Sequence, residues 1–201
     1  MKMKPYIFRK VLHMIACSIT ALILMKMKTW THVIYASLTA IVLIYPLLDH
    51  FEKYPAYRRF FVEKGPGEVK ESLVLLFAML MIITLIGWGI FDNKYTVLAA
   101  LLMWGLGDAS AALVGIPYGK HKIGRKSLEG TAAMFAVSFF SGLEILSAFT
   151  PFSAGKIFLT VFLSALCACL SELFSPSKAD TFTVPILTLL CLQLLEMILK
   201  I

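Results

Sequence analysis

Seven apolar runs divide this chain, and they constrain its fold more than any other feature. They fall at about 11–25, 31–48, 72–90, 95–118, 131–149, 157–173 and 182–199. A helix needs roughly 20 residues to cross the hydrocarbon core of a bilayer, within a range of about 17–25. The first run reaches that length only if it extends back through Phe8, and the fourth is long and carries an aspartate. Lipid offers no partner to a free backbone N–H or C=O, so a spanning segment is either a helix or part of a closed barrel. The runs are continuous and do not alternate, which leaves the helix. The expected fold is therefore all-α: a polytopic integral membrane protein with about seven transmembrane helices. Composition agrees, because 201 residues that are 59% hydrophobic, with a mean hydropathy of +0.83, carry more apolar surface than a soluble domain of this length can hide.

Charge gives the expected orientation. The net charge of +7 lies in short clusters between the apolar runs, the membrane pattern and not that of a nucleic-acid surface, so no nucleic-acid partner is expected. Fourteen of the nineteen Lys and Arg fall on the side of the N-terminal tail and of the second, fourth and sixth connections. Lys and Arg favour the cytoplasmic side, so the N-terminus is expected inside and the C-terminus outside. The opening stretch has the basic start and apolar run of a signal peptide, but no small-x-small cleavage site follows, and it reads as a retained first span. No second domain, low-complexity linker or internal repeat is evident. Residues 1–201 read as a single transmembrane catalytic domain whose main cytoplasmic loop lies at about 115–130. The longest polar stretch, from Glu52 to Ser72, carries Tyr54, Tyr57, Phe60 and Phe61 and is expected to lie at the membrane interface.

Ionisable groups at membrane depth are expensive and need a reason. His13, Asp108, Glu129 and Glu172, together with Asp180, fall toward the expected cytoplasmic side. Glu144 and Glu196 fall toward the other side and read as interfacial or neighbour-paired carboxylates. Asp108 is ten residues from Tyr118, roughly 15 Å along an unbroken helix. Gly115 and Pro117 suggest that the helix ends or breaks near Val114 or Gly115 and that a re-entrant polar loop follows. That loop holds Gly115, Gly119 and Gly124 with Lys120, His121, Lys122, Arg125 and Lys126. Glycines let backbone N–H groups approach phosphate oxygens, and Lys and Arg neutralise them. The bland readings are a helix-packing polar residue for Asp108 and a basic loop touching anionic headgroups for the rest. Those readings leave the acids unexplained. Phosphoryl transfer needs a magnesium ion held by carboxylates and a group to take the proton of the attacking hydroxyl, and Asp108, Glu129 and Asp180 supply such acids. The four cysteines lie in apolar stretches with no metal-ligand spacing, so neither a disulfide nor a zinc site is expected.

The stretch from Gly107 to Gly130 resembles the CTP-dependent lipid-alcohol kinases: dolichol kinase, phytol kinase and the fungal-type diacylglycerol kinase. Their pattern GD-x-x-A-x-x-x-G-x-x-x-G followed by KS-x-EG falls on Gly107, Asp108, Ala111, Gly115 and Gly119, then Lys126, Ser127, Glu129 and Gly130. Weaker marks extend the likeness. The early R-K-x-x-H falls on Arg9, Lys10 and His13, a GE on Glu68, and the late E-x-x-x-P…DN-x-T-x-P on Glu172, Pro176, Asp180, Thr183 and Pro185. One departure is Thr181, where the pattern has Asn. A more distant similarity is to CDP-diacylglycerol synthase, but its GHGG and DR-x-D marks are absent here.

The resemblance implies a membrane kinase that moves the γ-phosphate of CTP, or another nucleoside triphosphate, to the hydroxyl of a polyprenol, a phytol-like isoprenoid or diacylglycerol. It implies Asp108, Glu129 and Asp180 as catalytic and Mg²⁺-holding acids. Gly115, Gly119, Lys120, Arg125, Lys126 and Ser127 are implied for the nucleotide, with Arg9, Lys10, His13, Glu68 and Glu172 in support. The expected partners are the lipid alcohol, the nucleotide and membrane lipids, in a multi-pass protein of the cell membrane whose active site faces the cytoplasm. The alternatives are a phosphatidate cytidylyltransferase and a non-catalytic transporter or assembly factor.

Overall fold

The computed structural model of the protein describes residues 3–55, 57, 67–176 and 179–199. In chain order the elements are α1 (Met3–Lys26), α2 (Trp30–Phe51), α3 (Glu68–Thr84), α4 (Lys94–Tyr118), β1 (Lys122–Ile123), β2 (Lys126–Ser127), α5 (Leu128–Phe149), α6 (Ala154–Phe174) and α7 (Asp180–Ile198). A π-helical turn, Leu85–Ile90, continues α3. Among the described residues, seven helices are long and apolar enough to cross a membrane. Each expected run lies within one of them, save for the last residue of the seventh, and the first extends back past Phe8 to Met3. The β1–β2 hairpin is the one departure from an all-α fold among the described residues. Part of the stretch expected at the interface, including Arg58, Arg59, Phe60, Phe61 and Lys64, lies outside the described residues.

Helix α4 forms the centre. Every residue from Thr96 to Leu101 is buried, so the helix is enclosed on all sides. Helices α1, α3, α5, α6 and α7 pack around it, and α2 packs outside against α3. Asn93 starts α4: its side chain accepts from the N–H groups of Tyr95 and Thr96 at 3.0 and 3.3 Å, satisfying two donors of the first turn. The outer surface is apolar, with Val42 69% and Phe140 66% exposed. Lipid is the solvent such a surface requires.

The closest helix pair is α4 with α5, and small residues make it possible. A Cβ on Gly107 would lie 2.4 Å from Ser138 Oγ, and one on Gly130 would lie 2.7 Å from the Ala111 carbonyl oxygen. Gly115 meets Gly130, where a Cβ would come within 3.2 Å of the facing Cα. Gly107, Ala111 and Gly115 recur every four residues and therefore form one stripe, the small-xxx-small arrangement that brings helix backbones together in lipid. Ser138 adds a bond from its hydroxyl to the Met103 carbonyl at 2.7 Å.

This packing corrects one expectation. Helix α4 does not break near Val114 or Gly115 but runs through to Tyr118 with Pro117 in its last turn. Proline removes one helix hydrogen bond, and so close to the end only the final turn loses it. Gly115 serves close approach to α5 in place of a break. The other end of the bundle holds Glu196, which is 7% exposed and accepts from the Asn93 side-chain amide at 2.8 Å. Gln193 donates to Thr96 Oγ1 at 2.6 Å beside it. Glu144 is exposed.

Candidate active site

Helix α4 ends at Tyr118, and the chain must turn back sharply to start α5 at Leu128. The hairpin makes that turn. Its register pairs Lys122 with Ser127 and Ile123 with Lys126, leaving Gly124 and Arg125 as a two-residue loop. Gly124 has φ +59°, whereas Arg125 is not in the positive-φ region, the pattern of a type II′ turn with glycine first. Ser127 then caps α5, its Oγ accepting from the Gly130 N–H at 3.2 Å. Glu129, in the first turn of α5, reaches back to the hairpin. It accepts from the His121 backbone N–H at 3.2 Å and lies 2.8 Å from His121 Nδ1. A carboxylate here also faces the positive end of the α5 dipole.

Beneath the hairpin lies a cavity of about 220 Å³. Helix α1 contributes Tyr6 and Lys10, while α4 contributes Asp108, Ala111, Ala112, Gly115 and Ile116. The hairpin contributes Lys122, Arg125, Lys126 and Ser127, and α5 contributes Gly130 and Thr131. Glu172, near the end of α6, and Asp180, at the start of α7, complete the wall. Two ion pairs cross it. Lys10 Nζ donates to Asp108 Oδ2 at 2.6 Å, tying α1 to α4. Lys126 donates to Glu172, whose side chain is 3% exposed, and its Nζ lies 3.9 Å from Asp180 Oδ2. A carboxylate so buried needs a cation beside it, so the Glu172 pair fixes Lys126 on the cavity wall.

The cavity therefore joins Asp108, Asp180, Arg125, Lys126, Ser127 and Gly115 of the residues expected for catalysis or nucleotide binding, with Lys10 and Glu172 of the supporting ones. Glu129 does not line it, because its carboxylate is turned to His121 and braces the hairpin. Lys120 and Gly119 do not line it either. Gly119 is needed for space, since a Cβ there would lie 2.2 Å from the Gly115 carbonyl oxygen. Ser127 lines the wall with a hydroxyl already engaged as the α5 cap. His13 packs edge-on against Trp104, with ring centroids 5.2 Å apart, behind the Lys10–Asp108 pair. Arg9 and Thr181 lie off the cavity wall. The expected contribution of Glu68 rests on a side chain outside the described part of the chain.

Tyr6, Lys122 and Thr131 line the cavity without having been singled out as binding residues. Lys122 was visible as one of the loop cations. Tyr6 stands four residues before Lys10, so the two share a helix face, and that spacing was the available signal.

A metal must fit this donor set. Among the described residues no group of three or more His, Cys, Asp or Glu is placed to hold an ion. Mg²⁺ is commonly held by one or two carboxylates together with substrate phosphates and water. Asp108 and Asp180, on one cavity with Lys10, Lys122, Arg125 and Lys126, fit an ion that arrives on a polyphosphate.

Over 101 residues, 49% of its length, the chain is 33% identical to dolichol kinase sec59 of Schizosaccharomyces pombe, and the shared stretch is 19% of that protein. The chain thus spans about a fifth of the length of this relative. No protein-family model and no solved structure matches the chain.

Proposed function

We propose that the protein is a membrane kinase transferring the γ-phosphate of CTP, or another nucleoside triphosphate, to the hydroxyl of a lipid alcohol. The observation that carries this reading is the cavity itself: an acid ten residues inside a membrane helix, open to Lys122, Arg125 and Lys126 at the helix end. A soluble polyphosphate and a lipid hydroxyl meet only at such a boundary. The stretch shared with a dolichol kinase supports the same reading. The expected orientation, with the hairpin on the cytoplasmic face of the cell membrane, places the cations where nucleotide is available.

The chemistry asked of the protein is positioning and charge neutralisation. Lys122, Arg125 and Lys126 hold the phosphates and disperse the charge that develops on transfer. The lipid hydroxyl oxygen bonds to the γ-phosphorus, the bond from phosphorus to the bridging oxygen breaks, and nucleoside diphosphate leaves. Asp108, fixed by Lys10, accepts the hydroxyl proton. Mg²⁺ held by Asp108 and Asp180 would shield the phosphate oxygens. The test is purified protein in lipid micelles with Mg²⁺ and γ-labelled CTP, offered diacylglycerol, phytol and a polyprenol in parallel. Label in one lipid establishes the kinase and names its acceptor. Label in none of them contradicts the proposal.

A further inference from the structure

Resting on that reading, we infer that the acceptor lipid enters sideways along α1, its chain lying on the flank formed by Ile7, Val11 and Ile15 and its hydroxyl held by Tyr6 beside Asp108. The cavity measures about 220 Å³. Sites that enclose a drug-sized ligand measure roughly 300–1,000 Å³. The cavity therefore takes the reacting groups, and the remainder of each ligand lies outside it. The nucleotide side is set by the hairpin cations. The other wall, Tyr6 and Lys10 of α1 with Asp108, is left for the acceptor.

Helix α1 is packed unevenly. Its far half is anchored to α4: Cys17, Ala21 and Leu24 are buried, and a Cβ on Gly105 would lie 2.5 Å from Cys17 Sγ. Along the cavity half, from Tyr6 to Met14, no side chain is buried. Ile7, Val11 and Ile15 recur every four residues and form a stripe about 100° around the helix from Tyr6 and Lys10, on the flank that turns away from the cavity wall. They are 42%, 40% and 49% exposed. The lipid-facing flank of α1 and its polar, cavity-lining face thus lie side by side on one helix, a little over a quarter turn apart. A hydrocarbon chain on that flank stays in lipid while its hydroxyl reaches the acid. Tyr6 lines the cavity, and a phenol both donates and accepts, which suits an alcohol that must be held by its oxygen and lose its proton.

The experiment uses the whole protein in phosphatidylcholine nanodiscs. The probe is a long-chain primary alcohol with a diazirine a few carbons from its hydroxyl. After photolysis, peptide mass spectrometry is expected to find the label concentrated on Ile7, Val11 and Ile15 and removed by excess unlabelled alcohol. Label spread over all lipid-facing helices without competition, or gathered on the Phe140, Phe158 and Phe162 face of α5 and α6, overturns the inference. Kinetics give a second readout: Tyr6→Phe is expected to raise KM for the alcohol roughly three- to tenfold, the loss of one hydrogen bond, with KM for the nucleotide unmoved. Equal changes in both, or in neither, remove Tyr6 from the acceptor site. Competed label without any phosphoryl transfer keeps the lipid strip and sinks the kinase. Transfer without label on α1 does the reverse.

Discussion

Asp108 and Lys126 are the residues on which the proposed chemistry turns, and each is fixed by a buried or half-buried ion pair. Lys10 fixes Asp108 from α1, and Glu172 fixes Lys126 from α6. If Asp108 takes the acceptor proton, Asp108→Asn keeps the shape of the site and removes the base. Its kcat is expected to fall about 10²- to 10⁴-fold, and KM for the magnesium nucleotide is expected to rise, because Asp108 would also hold the ion. Lys126 also has a structural role, as the counterion of buried Glu172. Removing it leaves the carboxylate of Glu172 buried without a cation, so Lys126→Met is expected to destabilise the protein by about 3–5 kcal/mol. Replacing both partners by Met removes the stranded charge along with the cation. The double variant is expected to recover most of the thermal stability and none of the activity. Equal loss of stability in the single and double variants would contradict that account of the pair.

At the scale of elements, the glycines proved the hardest feature to read from sequence. Gly115 and Gly119 fit a phosphate-cradling loop by composition, yet Gly115 lies inside α4 as part of the stripe with Gly107 and Ala111 against α5. Phosphate loops and close helix crossings both demand residues without a Cβ, so a linear pattern does not separate them. A substitution does: Gly130→Ala places a methyl group 2.7 Å from the Ala111 carbonyl and is expected to cost about 1–3 kcal/mol through strain at the crossing. Full stability in that variant would contradict the close α4–α5 contact. The hairpin was hidden for another reason. Its strands are two residues long, too short for any alternation to register. Because of it Glu129 turns away from the cavity, which its position in the sequence did not reveal. The cations were legible because their chemistry is stated by residue type. The place of Tyr6 on the cavity wall was not, because it depends on how α1 meets α4.

Across the whole molecule, the seven spans were legible because lipid imposes one length and one backbone solution on every crossing. The enclosed centre at α4 was not, because long apolar runs look alike whether they face lipid or other helices. Orientation rests on the distribution of Lys and Arg. A cysteine placed at Lys120 is expected to react with a membrane-impermeant maleimide only from the cytoplasmic side, and reaction only from the opposite side would invert the topology. The central claim, that this cavity moves a terminal phosphate onto a lipid alcohol, is tested most directly by one reaction. Purified protein with Mg²⁺ receives a lipid alcohol and CTP labelled with different isotopes in the γ-phosphate and the cytosine ring, with Asp108→Asn alongside. The account predicts a lipid product that carries the γ label, lacks the cytosine label and is lost in the variant. A lipid product carrying the cytosine label, or γ-labelled lipid formed equally well by Asp108→Asn, would contradict it.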